Sequence, residues 1–304
     1  YQDGVLHLEE TALERIASSH GTPCYVYSSR IIQQNLLAYQ KALSGVSHQI
    51  CYAVKANSNL GVLKLLARLG AGFDIVSGGE LYRVMQAGGD PSKVVFSGVG
   101  KSAQEIEYAL RVGIHSFNCE SGGELRLINE LAAKNDIRAR VSLRVNPDVD
   151  PRTHPYISTG LDEHKFGIPI QEAEELYGEA RNLSHIAPDG VSCHIGSQLL
   201  DPSPILEALD RVLSLSDRLR EAGHRIEHID AGGGLGIPYR PGEQKPEIES
   251  FIHAIRERFS RQKATLFLEP GRSIVGEAGV LLTHVLYRKK NKDKHFVIVD
   301  AAMN

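Results

Sequence analysis

The feature that most constrains the fold of this chain is a rhythm. Short apolar runs at 49–54, 72–76, 94–97, 115–119, 139–145, 190–195, 228–231 and 265–268 alternate with longer segments whose apolar residues recur every three or four positions. Leu60, Leu63, Leu66 and Leu69 form one such stripe, and Leu206, Leu209, Leu213 and Leu215 form another. Runs of this length read as buried strands and the striped segments as amphipathic helices. Eight such units, with strands too short and too continuously apolar for a sheet with a solvated face, predict an α/β fold with a closed (β/α)8 barrel (a TIM barrel) rather than a doubly wound sheet. Ser77-Gly78-Gly79-Glu80, Ser102-Ala103-Gln104-Glu105 and Ser121-Gly122-Gly123-Glu124 read as capping boxes that start helices. The repeated Ser-Gly-Gly-Glu-Leu is either an internal βα repeat or one local capping solution used twice.

A barrel of this kind places its reactive groups at the C-terminal ends of the strands. Read there, the chain presents Lys55, then Asp74 and Ser77, Ser97, Asn118 and Glu120, Arg144 and Asn146, His194 and Ser197, Gly232 to Gly234, and finally Glu269 and Arg272. Lys55 closes the apolar run Cys51-Tyr52-Ala53-Val54, where a buried ammonium is costly. It either reaches back to water or serves as a neutral amine nucleophile. A kinase lysine is excluded, because no glycine-rich loop precedes it and no His-Arg-Asp or Asp-Phe-Gly follows.

Gly232-Gly233-Gly234-Leu235-Gly236 has the wrong spacing and the wrong place for a dinucleotide fingerprint. As a phosphate cradle it fits, since consecutive glycines let an anion approach backbone N–H groups; a merely tight turn is the alternative. Glu269 in Glu269-Pro270-Gly271-Arg272 is placed to hold a protonated ring nitrogen, and Arg272 to grip a phosphate or carboxylate, unless the two simply form an ion pair. His194, beside Gly196 and Ser197, suits packing on a flat ring, with Ser197 adding a hydroxyl to a phosphate, although a lone histidine is often structural. Together these groups point to pyridoxal phosphate bound covalently through the lysine amine.

Tyr52-Ala53-Val54-Lys55-Ala56-Asn57, Phe73-Asp74, Arg144-Val145-Asn146-Pro147, Lys165-Phe166-Gly167, His194-Ile195-Gly196-Ser197, Gly232 to Gly236 and Glu269 to Arg272 together resemble the alanine-racemase-like, fold-type III pyridoxal phosphate decarboxylases. The resemblance runs the length of the chain in the family's order. It implies that Lys55 carries pyridoxal 5'-phosphate, Glu269 holds the pyridinium and His194 stacks on the ring. It places Ser197, Gly232, Gly233, Gly234 and Gly271 around the phosphate, adds Asp74 and Arg144 to the cofactor contacts, and sets Arg272 against phosphate or substrate carboxylate. Gly232-Gly233-Gly234-Leu235-Gly236-Ile237-Pro238-Tyr239, Thr153 to Gly160 and Val299-Asp300-Ala301-Ala302-Met303-Asn304 favour decarboxylation of meso-2,6-diaminopimelate to L-lysine over ornithine or arginine as substrate. Another basic amino-acid decarboxylase, a racemase and a non-catalytic pyridoxal phosphate binder stay as alternatives. The family implies a homodimer with shared active sites and a second, mainly β domain around the barrel. That gives an N-terminal segment at 1–28, the barrel at 29–275 and the start of the β domain at 276–304. It also draws a cysteine and a tyrosine from later in the β domain.

The remaining features narrow the class. The chain of 304 residues has net charge −3 and 42% hydrophobic content, which gives nucleic acid no basic surface to bind. The one basic run, Arg288-Lys289-Lys290, reads as a solvated turn. No apolar run approaches the roughly 18 residues of a membrane span and no secretory pattern opens the sequence, so the expected compartment is the cytoplasm. Cys24, Cys51, Cys119 and Cys193 are widely spaced and read as core residues, not as disulfides or zinc ligands; His224 and His228 have a ligand spacing, but His228 enters a strand. The sequence starts at Tyr1 and stops just after the strand-like 295–300, with no later partner strand, so a fragment cut inside the second domain is expected. The stretch 148–166 is expected to cover the site.

Overall fold

The structure is a computed structural model and describes residues 1–150 and 165–302. Eight parallel strands close into a ring: β1 (His48–Ala53), β2 (Gly72–Ile75), β3 (Val94–Phe96), β4 (Ser116–Cys119), β5 (Ala139–Asn146), β6 (Ile186–Ser192), β7 (His228–Asp230) and β8 (Thr265–Leu268). Each pairs with the next, and β8 returns to β1 through Leu266, Phe267 and Leu268 opposite His48, Gln49 and Ile50. Strand β6 begins earlier than the apolar run suggests. Pro188-Asp189-Gly190 looks like a turn in sequence, but the strand passes through it as an irregularity in its pairing with β5.

Alternation along the strands separates two environments. Ile50, Tyr52, Phe73, Ile75, Phe96, Phe117, Leu143, Val191, Ile229 and Leu266 point outward and join the main apolar core beneath the helices. That core receives Leu63 and Leu66 of the helix Leu60–Arg68, Leu209 and Leu215 of Ser203–Glu221, and Ile252 and Ile255 of Ile248–Phe259. The inward positions differ from the continuous apolarity read from sequence. Among the described residues Cys51, Val95 and Phe267 form an apolar cluster there, while Asp74, Asn118, Ser142, Ser192, His228 and Asp230 are buried polar residues on the other strands. Strand-length apolar runs tolerate these residues because the helix-facing half of each strand alone supplies the core.

The helix starts follow the predicted caps with one change. Ser102 and Glu105 form a full capping box. Ser77 and Ser121 cap the helices Gly78–Gln86 and Gly122–Lys134, but Glu80 and Glu124 reach one residue further back, to the N–H groups of Val76 and Glu120. Both thereby tie a strand's end to the helix that follows it.

Outside the barrel, Cys24–Tyr27 pairs antiparallel with Gly279–Leu282. The strand expected near the end of the chain, Lys294–Val299, has an upstream partner in Val285–Asn291. The basic run Arg288-Lys289-Lys290 is therefore on an exposed strand and not in a turn, because the reversal falls at Lys292-Asp293, where Lys292 takes a left-handed conformation (φ 51°). Asp300 joins these pieces, accepting hydrogen bonds from Thr22, Thr283 and the N–H of His284. His228 lies in a barrel strand as expected, and the cysteines are free thiols. Among the described residues no helix is long and apolar enough to cross a membrane. Most of the stretch 148–166, with the motif 153–160, lies outside the described residues.

Candidate active site

Lys55 leaves β1 in a single 3-10 turn, Val54–Ala56, which lifts it onto the barrel rim. Its Nζ donates to Asp74 Oδ2 on the neighbouring strand at 2.8 Å. About half of the Lys55 side chain (47%) faces open space, whereas the Asp74 side chain is fully enclosed. Burial of the amine pulls its pKa down, but the charges of Asp74 and Glu269 outweigh this, with Arg144 opposing them, and the net value is raised. Of the two sequence readings, a solvated anchor and a neutral amine, the neutral amine does not describe the free lysine. It is an ammonium ion held in the site by a carboxylate. Asp74→Asn should lower the Lys55 pKa, and the pH dependence of amine alkylation in cofactor-free protein reads the change; an unchanged titration would show that Asp74 does not set the charge state.

Glu269 follows β8 and lies on the cavity floor. Its Oε1 accepts from Asn118 Nδ2 at 3.1 Å and from Ser97 Oγ at 3.4 Å. Burial, then the charges of Asp230 and Asp74, push its carboxyl far above the usual range, with Lys55 pulling the other way. Asp230, one strand away, accepts from the Gly232 N–H at 2.8 Å, and burial raises it to about 6. Both carboxyls are enclosed and both are raised, so burial favours the neutral form in each.

His194 follows β6, and its Nδ1 accepts from the Gly233 N–H at 3.2 Å. Burial, then the cations Arg144 and Lys55, hold its pKa well below normal, so the ring is neutral with its proton on Nε2. A second reason for the triple glycine is crowding. A Cβ on Gly232 would stand 2.3 Å from the Cys193 carbonyl oxygen, and one on Gly233 would stand 2.1 Å from that of Glu269. The glycines let the ends of β6, β7 and β8 touch, and only Gly234 is on the cavity wall. Gly233→Ala should force the backbone at Glu269 to move and cost about 1–3 kcal/mol of stability. Denaturant unfolding checks it, and a wild-type midpoint would contradict the crowding.

Two cavities of about 380 and 410 Å³ meet at Lys55, His194 and Glu269. The first is bordered by Ser97, Asn118, Arg144 and Phe166. The second is bordered by Ser197, Gly234, Gly271, Arg272 and Tyr239. Arg272 lies over the Tyr239 ring, bonds its hydroxyl, and donates to Ser197 Oγ at 3.4 Å. It makes no ion pair with Glu269. Arg144 is already engaged, donating to Glu120 Oε1 at 2.8 Å and to the His194 carbonyl at 3.3 Å while its guanidinium covers Phe166.

The structure thus brings together Lys55, Asp74, Arg144, His194, Ser197, Gly234, Glu269, Gly271 and Arg272, with Gly232 and Gly233 behind the wall. Sequence reasoning missed Asp230 and Tyr239 and left Asn118 and Ser97 as strand-end residues without a role. Asp230 carried a signal: it is a charged residue at an inward position of the apolar strand His228–Asp230. The groups present fit pyridoxal 5'-phosphate. An amine, an enclosed carboxyl, a neutral imidazole, and a hydroxyl beside a guanidinium all border one space of sufficient size.

Comparison with known proteins agrees. Residues 29–276 match the family described as pyridoxal-dependent decarboxylase, pyridoxal binding domain. The chain is 59% identical to the diaminopimelate decarboxylase of Pseudomonas aeruginosa over 304 residues, all of this chain and 73% of that protein. It is 50% identical to that of Vibrio cholerae, again over the whole chain and 73% of the relative. The crystal structure of diaminopimelate decarboxylase from Helicobacter pylori complexed with L-lysine superposes with a TM-score of 0.92 at 46% identity, covering 95% of this chain and 73% of that one.

Proposed function

The chain belongs to the diaminopimelate decarboxylases, within the pyridoxal-dependent decarboxylases, and we propose that its barrel mouth carries out their reaction, loss of one carboxylate of meso-2,6-diaminopimelate as CO2 to leave L-lysine. The observation that carries this reading is that Lys55, Glu269 and His194 border both cavities at once. Pyridoxal 5'-phosphate, when bound, supplies a ring that accepts the electron pair left on the substrate's α-carbon.

The roles of this chain's residues follow from their surroundings. Lys55 is the group whose Nζ can bond covalently to an aldehyde, and Asp74 holds that amine as ammonium whenever it is free. Glu269 presents a carboxyl that burial and the charges of Asp230 and Asp74 hold toward its protonated form, beside the Lys55 amine. Asn118 and Ser97 fix the direction of that carboxyl. His194, neutral and fixed by Gly233, offers a flat face without adding a positive charge. Arg272 and Ser197, with Gly234 and Gly271 beside them, form the end of the site suited to a phosphate or carboxylate.

The test is substrate discrimination by the cofactor-loaded protein. CO2 release from meso-2,6-diaminopimelate, but not from ornithine or arginine, supports the reading; release from ornithine or arginine instead transfers the site to another decarboxylase of the same family. A cytoplasmic homodimer and a β domain that includes 1–28 and 276–304 belong to the same proposal. The β domain is supported by the pairing of Cys24–Tyr27 with Gly279–Leu282, and the dimer by exposed apolar side chains such as Tyr287, Phe296 and Val297. Sedimentation at assay concentration that finds only monomer would remove the dimer.

A further inference from the structure

Two arginines border the cavities, and the groups that hold them differ in charge. The Arg144 guanidinium is enclosed against the Glu120 carboxylate, with side-chain exposures of 9% and 2%, so an anion is already in place beside it before any ligand arrives. Arg272 makes no ion pair among the described residues, and what holds it is neutral. Its Nη1 donates to the Tyr239 hydroxyl, its Nε donates to Ser197 Oγ at 3.4 Å, and its guanidinium carbon lies 5.5 Å from the centre of the Tyr239 ring. Among the described residues, Nη2 is left for a ligand.

Tyr239 is 62% exposed, yet the backbone that carries it is pinned on both sides. The Gln198 side chain, on the loop after β6, accepts from the Ile237 N–H at 3.2 Å and donates to the Ile237 carbonyl. The Glu243 carboxylate accepts from the N–H groups of Tyr239 and Arg240 at 2.8 and 3.1 Å. Across the contact, Arg272 opens the short helix Arg272–Val275. That helix is anchored from below, where the Ser273 hydroxyl bonds the buried Tyr39 hydroxyl at 2.8 Å and the Ile274 carbonyl accepts from Asn35 Nδ2 at 2.9 Å. Both backbones are thus fixed without help from the contact, and the two side chains meet between them. Ordering an exposed side chain costs rotamer entropy, and a pinned loop lowers that cost.

We propose that Tyr239 is a positioning residue, a neutral clamp that aims Arg272 across the second cavity while leaving the guanidinium its full charge for an oxyanion, either the cofactor's phosphate or a carboxylate of the substrate. A carboxylate in place of the phenol would fix the arginine as well but would weaken its pull on an incoming anion, which is the situation Glu120 creates at Arg144. The ring face adds a cation–π contact, which also holds the arginine without neutralising it. The proposal deepens the function given above and rests on it for the identity of the anion.

Cofactor titration of the cofactor-free chain, followed by absorbance, reads the first source of the anion. Tyr239→Phe should weaken pyridoxal 5'-phosphate about 3–10-fold, the effect of one hydrogen bond, and leave the affinity for pyridoxal, which has no phosphate, where it was. If the anion is the substrate's carboxylate, both cofactor constants hold and the loaded variant shows KM for meso-2,6-diaminopimelate raised by the same factor, with a smaller fall in kcat. The neutrality of the clamp is tested by Tyr239→Glu against Tyr239→Gln, two side chains of equal length. The glutamate should weaken the affected constant about tenfold more than the glutamine. A loss shared equally by pyridoxal, no change in any of these constants with Tyr239→Phe, or equal losses for the glutamate and the glutamine overturns the proposal. The cofactor titration needs no turnover. A protein that shows the expected cofactor constants but spares diaminopimelate would contradict the proposed function and leave the role of Tyr239 standing.

Discussion

Lys55→Ala should leave a folded protein that no longer holds pyridoxal phosphate through a borohydride-reducible bond and whose decarboxylation falls by roughly 10²–10⁴-fold. The expectation rests on placement. Lys55 is the amine that borders both cavities, and its paired carboxylate, Asp74, is completely enclosed. Loss of the lysine also leaves Asp74 buried beside Glu269 and Asp230 without a neighbouring cation. The variant should therefore lose stability as pH rises through the range where these carboxyls ionise, even without cofactor. Absorbance after cofactor addition, turnover, and thermal unfolding at two pH values check the three parts. Near-normal turnover would remove Lys55 from the chemistry.

Glu269→Gln should lower turnover by about 10²–10³-fold with little effect on the fold at neutral pH. The amide resembles the protonated carboxyl that the free site favours, and it can still accept from Asn118. Its clearest signature is in pH dependence without cofactor. Glu269 and Asp230 have folded pKa values above those of the unfolded chain, so the folded state binds more protons. Their stabilisation is complete below about pH 4 and is lost as pH rises through the folded values, about 6 for Asp230. The buried imidazoles act oppositely. His115, lowered to about 4 by burial and Arg140, contributes stability above about pH 6.5 that is lost as pH falls toward 4, and His228 shifts in the same direction. Comparison of Glu269→Gln with wild type cancels the histidine contribution. The variant should show a shallower loss of stability above pH 4, and identical slopes would contradict a raised Glu269.

Most of the architecture was legible because each barrel strand exposes one apolar face to the helices, and Tyr52, Phe73, Phe96 and Leu143 announce that face directly. The site was legible for a second reason: the fold puts strand ends together, so Lys55, His194 and Glu269 needed only to follow the ends of their strands. What was hidden depends on side-chain direction. Asp230 and His228 sit inside short apolar runs, where one residue of register decides whether a side chain meets the lumen or a helix. The hairpin of Val285–Asn291 and Lys294–Val299 was obscured because the charged residues of its first strand, Arg288, Lys289 and Lys290, read as turn. At the glycines the structure adds a cause that sequence could not show: crowding of three strand ends requires Gly232 and Gly233, while Gly234 borders the cavity.

The central claim is that this barrel mouth is a pyridoxal phosphate site built on one lysine. Its most direct test is borohydride reduction of the cofactor-loaded protein followed by peptide mapping. The account predicts a single labelled peptide carrying the cofactor on Lys55, and protection of that site from amine reagents in step with loading. Label on Lys101, which is enclosed against Glu124 on the same side of the barrel, or on a surface lysine with Lys55 unmodified, would contradict it.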